Sequence, residues 1–557
     1  MTTRFPLASA PWIDVWDLDA AAARRVSLHE ALTGAHRLRL HVDRETLVLL
    51  RLLAAVLDAA CGPKDLAEWD AAWKASTLDT DAITAYLDRH ADALDLFHPE
   101  RPAWQCGHLT EYARGPAALH PASLAGESAR LFHSWLGDCP PLEAGQAAMW
   151  LLHLLAYDVA GIKRAAPGDR GARGGKVYGA QIGPLAAVTH AHLTGPSLTL
   201  KDVLLLNLPP QPRAAGDAPV WERDTPAAPM RTRAAAGRLD LLTWPGRRIR
   251  LHANSEGLVD AVAHHDGDRL DDAWEAVRRL DPMTAWQVSG RGAQVPLTFM
   301  DDETWPQPWR PATVVDQPGA CPVVDHAVAA AERGTLDAGL RLHLVVSSVL
   351  HSNRHRTNVS DIPVLVTPIG SAGLLADQAG REGVADMGRY ADVVQQRLRR
   401  HAVRISGRPS EQITRRLALT DLDTAWETAV RGYGSDPAAA RAAWVDAVQQ
   451  VAERRIDTLP LRPLERGQLL AQYRDRASST RPAVAGGASA PVKGQGRRRG
   501  PAARTYPVFG GRYTLSELAR DPRCVVTYRT LRARVEGGWD VEEAAVTAGR
   551  RGPSASG

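Results

Sequence analysis

The sequence predicts an α+β protein: a large mixed N-terminal domain, a C-terminal four-helix bundle, a flexible linker and a small helical, helix-turn-helix-like module. Three observations predict this order. Residues 1–365 mix strand and helix patterns with frequent turn dipeptides, and residues 366–478 carry four helical patterns in succession. Residues 479–511 open with a stretch rich in Ala, Gly, Pro and Arg, which cannot bury enough apolar surface to order itself.

Within the N-terminal domain, three segments carry a clear pattern. Glu45–Ala60 has the apolar spacing of an amphipathic helix. Leu340–Leu350 begins with alternation and is rich in β-branched residues, and Arg247–His252 alternates as well, so both are predicted strands. Turn signals between such segments are Pro209-Pro210, Pro245-Gly246 and Trp305-Pro306.

The predicted bundle consists of segments with apolar residues spaced three and four apart. Ser435 and Asp436 precede Pro437, which is the arrangement of an N-cap followed by proline in the first turn. Antiparallel helices joined by short loops would form a bundle. The four segments are Leu374–Val403, Glu411–Tyr433, Pro437–Ile456 and Leu464–Arg476.

Residues 512–548 are predicted to form three short helices, followed by a disordered tail at 549–557. Thr514 to Glu517 has the capping-box pattern of a first helix, and Thr527 can cap a second. Leu531 and Val535 of the second helix would face inward, and Val541–Thr547 would form the third. A second helix with an arginine-rich outer face suits a nucleic-acid groove, although a small helical cap on the bundle fits the pattern too. The predicted nucleic-acid contacts of the tail are Arg497, Arg498 and Arg499 in the linker and Arg529, Arg532 and Arg534 in this module.

The charge distribution supports this interpretation. From Arg481 to the end, the chain has fourteen Lys/Arg and six Asp/Glu, a net charge of +8, whereas the preceding 480 residues have a net charge of −4. Such asymmetry suggests that the tail binds a polyanion. The five cysteines form no CxxC pair, and the first residues contain no apolar signal core. A cytoplasmic protein is expected.

The glycine-rich stretch Gly168–Lys176 resembles a phosphate-binding loop but lacks its required residues. Arg170 stands where the first glycine of a Walker motif belongs, and Val177 follows the lysine in place of Ser or Thr. The stretch is therefore interpreted as a basic loop whose glycines permit close backbone approach to a phosphate backbone. A solvated loop is the alternative.

Two histidine-containing segments raise the question of catalysis. His264-His265-Asp266-Gly267-Asp268 has the composition of an exposed turn more than of a ligand set, and no HExxH or GxSxG motif accompanies it. We therefore expect no enzyme activity, no metal site and no cofactor. The segment His351–Arg356 directly follows a predicted strand, so Asn353 and Arg354 could contact base edges or phosphates. Taken alone, the segment fits an ordinary loop better.

Several short segments follow one another in a distinctive order along the chain. They are Pro11–Val15, Ser27–Ala31, Leu96–Pro102, Gly183–Leu185, Val203–Leu208, Leu242–Trp244 with Arg247–Leu251, Asp281–Met283 and Trp305–Pro308. This order resembles the CasA family, the large subunits of type I-E CRISPR Cascade complexes. The resemblance covers roughly residues 7–478 and leaves the C-terminal module unexplained.

The resemblance implies a non-catalytic subunit that recognises the protospacer-adjacent motif in double-stranded DNA from the minor groove. Such a subunit then starts duplex opening for guide RNA pairing and helps recruit the helicase-nuclease. The implied partners are the other Cascade subunits, the crRNA, the target duplex and the helicase-nuclease, with no membrane involved.

The resemblance also implies site residues. Gly174 and Gly175, with Lys176 nearby, match the family's glycine loop, and Asn353 matches a motif-contacting Asn. Arg354 stands where a wedging Gln is expected, and His355 takes a position that is usually small. The further implied residues are Arg291, as a stand-in for a lysine finger, and Phe132, as a crRNA-stacking residue.

Two other classes of function remain open from the residues alone. A stand-alone helix-turn-helix regulator would bind a defined DNA site without guide RNA. A metal-dependent nuclease would use the histidine clusters and be inhibited by chelators.

Overall fold

The structure is a computed structural model, and it describes most of the chain. The described residues are 3–39, 43–112, 114–120, 139–170, 172–180, 188–271, 280–288, 294–297, 307–311, 315–317, 319–351, 359–407, 417–419, 421–477, 505–508, 511–514, 518, 523–524, 526, 531, 534–535 and 540–546.

The mixture of strands and helices that the sequence predicts is confirmed. The strands are β1 (Ile13–Asp17), β2 (Ala22–Val26), β3 (His36–Leu38), β4 (Gly161–Arg164), β5 (Lys176–Ala180), β6 (His190–Thr194), β7 (Thr232–Arg233), β8 (Arg247–Ala253), β9 (Val259–Asp266), β10 (Arg269–Leu270), β11 (Trp286–Val288), β12 (Gln294–Pro296), β13 (Arg341–Ser347), β14 (Leu350–His351), β15 (Val359–Asp361), β16 (Val364–Ser371), β17 (Thr505–Val508) and β18 (Gly511–Thr514).

The helices lie before, between and after these strands. They are α1 (Leu28–Thr33), α2 (Asp43–Cys61), α3 (Leu66–Lys74), α4 (Thr80–Arg89), α5 (Ala144–Tyr157), α6 (Leu200–Leu206), α7 (Arg238–Leu242), α8 (Pro322–Glu332), α9 (Ala372–Ala376), α10 (Gln378–Ser406), α11 (Asp423–Tyr433), α12 (Pro437–Thr458), α13 (Pro463–Ala477) and α14 (Val541–Val546). Within the described ranges no single helix could cross a membrane, although α3 and most of α2 would pass as a sharply bent pair.

Helix α2 and strands β8 and β13 coincide closely with the predicted segments. Strand β13 is the centre of an antiparallel three-stranded sheet, paired on one side with β6 and on the other with β16. Its residues Leu342, Leu344 and Val346 are buried in the main core, which explains their alternation in the sequence.

The predicted domain boundary at 365/366 is wrong. It would cut through β16, which is paired along its length with β13. Residues Met1–Pro482 form one compact unit, and a single hydrophobic core runs through the mixed region and the C-terminal helices. Because the buried faces are shared, the helices are not a separate domain.

Three of the four predicted bundle helices are confirmed as α10, α12 and α13, and the second is shorter than predicted. Helix α10 contacts α11, α12 and α13. Asp436 is the N-cap of α12, accepting a hydrogen bond from the Ala439 amide at 3.0 Å, with Pro437 in the first turn. Helix α11 begins only at Asp423, because Leu417, Leu419 and Leu422 precede it in non-helical backbone and anchor that segment in the core.

The second compact unit, Ala483–Gly557, has a small core of its own. The predicted linker 479–511 contains β17, which pairs with β18 at the start of the predicted helical module, so this part of the prediction is wrong. Thr514, predicted to begin a helix, pairs instead with Thr505 in this hairpin. Leu531 is fully buried and Val535 packs against the same core, as predicted, and α14 is the predicted third helix.

Candidate nucleic-acid interface

The glycine-rich stretch of the sequence lies in a hairpin formed by β4 and β5. Arg173 and Lys176 exchange backbone hydrogen bonds of 2.9 and 3.2 Å across a two-residue turn at Gly174-Gly175. Both glycines have positive φ, +56° and +72°. Positive φ at both central positions is what a type I′ hairpin turn requires, and glycine adopts it without steric cost.

The turn faces open space. A Cβ atom added at Gly174 or Gly175 would meet no heavy atom of the described protein within 4 Å. Packing therefore does not demand glycine at either position; backbone conformation does. An uncovered backbone of this kind can be approached closely by a partner molecule.

The hairpin is fixed to the body through Asp158, which follows α5 and is buried. Its carboxylate accepts a hydrogen bond from Lys163 Nζ of β4 at 2.8 Å and another from Arg247 Nε of β8. His264 Nε2 of β9 lies 3.3 Å from the same carboxylate. On the far side, His265 Nδ1 contacts the Ala165 carbonyl at 2.9 Å. Three elements thus hold the base of the hairpin in place.

Burial and charge shift the pKa values of this cluster in a consistent way. Burial alone would raise the pKa of Asp158, but Arg247, His264 and Lys163 hold it well below its ordinary range. Burial lowers the pKa of Lys163, and Asp158 offsets part of that effect. Burial also lowers the pKa of His264 to about 4, so this imidazole is neutral at pH 7. The cluster is a buried ion pair with a neutral histidine beside it.

Cations surround the turn. Arg170, Arg173 and Lys176 are exposed, and Arg164 pairs with exposed Glu111 at 3.4 Å. Among the described residues no carboxylate forms an ion pair with Lys176. An open backbone turn with exposed cations can bind a phosphate backbone.

The second predicted contact, the loop after the central sheet, is only partly described. Strands β14 and β15 pair with each other and frame the loop at both ends. The loop residues Asn353, Arg354 and His355 lie outside the described residues, and so do Arg291 and Phe132. Their roles stay predictions.

Of the six arginines predicted to contact nucleic acid near the C-terminus, only Arg534 lies within the described residues. Arg534 is half-buried and its Nη1 donates to the Ala544 carbonyl at 3.1 Å, so part of its hydrogen-bonding capacity serves the module itself. Arg497, Arg498, Arg499, Arg529 and Arg532 lie outside the described residues.

The histidine cluster at 264–268 is not an exposed turn. His264, His265, Asp266 and Asp268 are buried, because β9 pairs with β8 and packs against β4. Asp268 binds Arg233 at 2.6 Å and also pairs with Arg248, so its carboxylate is neutralised by arginines. Within the described ranges no group of three or more His, Cys, Asp or Glu residues could hold a metal ion.

Sequence reasoning missed the residues that hold the hairpin. Asp158 carries no motif, and its partners are 5, 89 and 106 positions away along the chain. The one available signal was Arg247 itself, a charged residue that begins an otherwise half-apolar alternating strand. A charge at an inward position demands a buried counter-charge.

Comparisons with known proteins agree with this architecture. The family model described as CRISPR-associated protein Cse1 matches residues 6–455. The CRISPR-associated protein CasA/Cse1 of Thermus thermophilus is 33% identical over 321 residues, which cover 55% of this chain and 59% of that relative. The chain thus matches less than two thirds of the length of this relative.

Solved structures match over a longer span. Cse1 from Acidimicrobium ferrooxidans matches with a TM-score of 0.66 at 26% identity, over 85% of this chain and 99% of that one. A chain of a CRISPR RNA-guided surveillance complex shares the fold, with a TM-score of 0.67 at 21% identity, over 85% of this chain and 99% of its own length. Since the family model spans well over half of the sequence, the chain belongs to the CRISPR-associated Cse1 family, whose members are also called CasA.

Proposed function

We propose that this chain is the large subunit of a type I-E CRISPR RNA-guided surveillance complex and recognises the protospacer-adjacent motif in double-stranded DNA. It starts duplex opening so that the guide RNA can pair, and it helps recruit the helicase-nuclease in antiviral defence. Its partners are the other Cascade subunits, the crRNA, the target duplex and the helicase-nuclease. Its role is binding rather than catalysis.

The glycine hairpin is the observation that carries this proposal beyond family membership. A turn with two positive-φ glycines, open space at both Cβ positions and exposed cations is suited to lie against a DNA groove. Lys176 supplies a positive charge directly beside the turn. The buried Asp158 cluster supports the hairpin, so little ordering entropy is lost when DNA binds.

The energetics of opening fit a protein that only nucleates the process. The RNA–DNA heteroduplex is about as stable as the DNA duplex that it replaces. Unstacking one base step costs about a few kcal/mol, which contacts from the protein must offset. Minor-groove contacts mainly separate A·T from G·C pairs, so the contact set of this chain tunes motif preference more than it fixes a unique sequence.

The other predicted site residues have roles in the same proposed function. Asn353 contacts the motif, Arg354 wedges into the duplex through its flat guanidinium, and His355 is a further DNA contact. Arg291 is a further cationic contact. Phe132 stacks on the crRNA.

The C-terminal module adds a second nucleic-acid contact that the family match, which ends at residue 455, does not include. The net charge of +8 from Arg481 onward, which comes from the linker before the module and the tail after it, favours sequence-independent binding to phosphates. The cations in question are Arg497, Arg498, Arg499, Arg529, Arg532 and Arg534.

A double variant of the strand-end loop tests the proposal. In the complex assembled with its cognate subunits and crRNA, Asn353→Ala with Arg354→Ala should weaken binding of a motif-bearing duplex by at least tenfold, about 1.4 kcal/mol. Electrophoretic mobility shift and size exclusion would measure affinity and assembly in parallel. The matched control is Gln396→Ala with Arg400→Ala, an exposed pair on α10. Wild-type affinity in an intact double variant would refute the proposed role of the loop.

A further inference from the structure

The outward face of the β4–β5 hairpin carries an exposed apolar pair that folding does not explain. Ile162 is 58% exposed and Tyr178 is 55% exposed, and they are two of the eight most exposed large hydrophobic residues in the described chain. Exposed apolar groups that sit together on one element mark an interaction site more often than single ones do.

The register shows that these side chains share one face. Lys163 pairs with Val177, and both point inward, Val177 into the protein and Lys163 toward Asp158. The register shifts between Gly161 and Lys163, so Ile162 has no single cross-strand partner. Within each strand, Ile162 is next to Lys163 and Tyr178 is next to Val177, and the high exposure of Ile162 and Tyr178 shows that both point outward. Arg164 and Lys176 lie on the other side of the Lys163–Val177 pair and point outward too, and all four are exposed.

The face is therefore ordered along the hairpin. The apolar pair lies nearest the base, the cationic pair Arg164–Lys176 follows about 7 Å further on, two residues along each strand, and the glycine turn comes last. An apolar pair, a cationic pair and an uncovered glycine backbone thus follow one another along a single hairpin.

The cationic pair is unfavourable in the isolated protein. Arg164 and Lys176 are direct cross-strand partners, and like charges placed opposite each other destabilise a hairpin. The exposed contact of Arg164 with Glu111, at 3.4 Å, compensates little of this repulsion. An anion with spaced charges would relieve it.

From this arrangement we infer that the outward face of the hairpin is a second contact for the target DNA, in addition to the glycine turn. Arg164 and Lys176 bind phosphates, and the ring of Tyr178 with the side chain of Ile162 packs against deoxyribose and base edges of the same strand. The inference rests on the proposed function and assigns Ile162, Arg164 and Tyr178 to the DNA-binding surface.

Charge favours DNA over a protein subunit as the occupant. Besides Arg164 and Lys176, the connection between the strands carries exposed Arg170 and Arg173, whereas a protein interface usually excludes clustered charge from its centre. Aromatic rings combined with cations are the usual means of holding a nucleic-acid strand without reading its sequence.

Salt dependence separates the two kinds of contact. In the assembled complex, Tyr178→Ser with Ile162→Ser should weaken binding of a motif-bearing duplex at least fivefold at every salt concentration and leave the slope of log K against log salt unchanged. Arg164→Gln should instead reduce that slope by about 0.9, because one phosphate contact is lost. Tyr178→Phe keeps the ring and should bind within twofold of wild type. Val366→Ser, at an equally exposed apolar position on β16, should have no effect.

Each outcome decides a different claim. Wild-type affinity of the double serine variant in an intact complex would overturn the inference and leave the proposed function standing. Loss of subunit or crRNA incorporation before DNA is added would show that the face contacts the complex itself, which also overturns it. A wild-type complex that fails to bind the duplex would overturn the proposed function.

Discussion

At the scale of single residues, the candidate interface depends on buried side chains beneath the hairpin. The buried carboxylate of Asp158 forms ion pairs with Arg247 and Lys163. Removing one partner of a buried ion pair typically lowers folding stability by about 3–5 kcal/mol. This cost is the physical reason why the hairpin keeps its place. The glycine turn at its tip can then stay bare, since its position does not depend on packing.

Gly174→Asn tests whether the bare turn is used. Asn-Gly is a preferred pair for a type I′ turn, so the hairpin should fold as before while the new side chain fills the open space. We expect the complex to assemble normally and duplex affinity to fall about tenfold, as measured by titration calorimetry or mobility shift.

Gly407→Asn is the matched control for this change. Gly407 ends helix α10 with φ +61° and also has nothing within 4 Å of an added Cβ, so asparagine is equally compatible there. Unchanged DNA affinity in both variants would show that the open space at Gly174 is not occupied by DNA.

At the scale of elements, regular patterns were predictable and long-range ion pairs were not. Local spacing was enough for α10 and α12, because each buries one face along most of its length, and for α2 and β13, because their apolar runs are buried on nearly all sides. The start of α11 was predicted too early, because Leu419, Leu422 and Trp426 are spaced three and four apart like a helical face, although the two leucines lie in non-helical backbone. Strand β17 was not predicted, because the composition of the linker indicated disorder. Pairing with β18, which begins three residues later, stabilises it as a hairpin.

The same limits apply to the candidate interface. The glycine turn and Lys176 were found from the sequence, because glycine and cations signal their own chemistry. The burial of the 264–268 histidine cluster was not, since only the pairing of β8 and β9 against β4 reveals that both faces are covered.

The C-terminal module is an element whose contribution can be measured by removal. Truncation after Arg481 deletes a net charge of about +7, so sequence-independent affinity for non-motif duplex at low salt should fall and its salt slope should become shallower. Motif discrimination should persist, because the glycine hairpin remains. Mobility shifts at several salt concentrations would measure both slopes. Identical slopes with and without the module would mean that it is a structural cap and not a DNA contact.

At the scale of the whole molecule, one compact unit spans the mixed region and the C-terminal helices, and several neutral histidines are buried in it. Burial lowers the pKa values of His192, His264 and His326 to about 4. In the unfolded chain the same groups titrate near their ordinary pKa of about 6.5. Between these values the unfolded chain therefore binds more protons than the folded one.

Stability should consequently decrease as the pH falls from about 6.5 toward 4, by at most about 1.4 kcal/mol per pH unit for each histidine. We expect the thermal unfolding midpoint to drop between pH 7 and pH 5, and His192→Asn to reduce the size of that drop. His108→Asn, at an exposed position, serves as the control. A midpoint that holds steady or rises on acidification would contradict the burial of neutral imidazoles.

The central claim is that this chain gives an RNA-guided complex its dependence on a flanking DNA motif. The most direct test is selection from duplexes that carry a matching protospacer beside randomised flanking base pairs, using the cognate complex assembled with and without the chain. The account predicts strong enrichment of a small set of flanking sequences only when the chain is present. Enrichment that is absent, or identical without the chain, would contradict it.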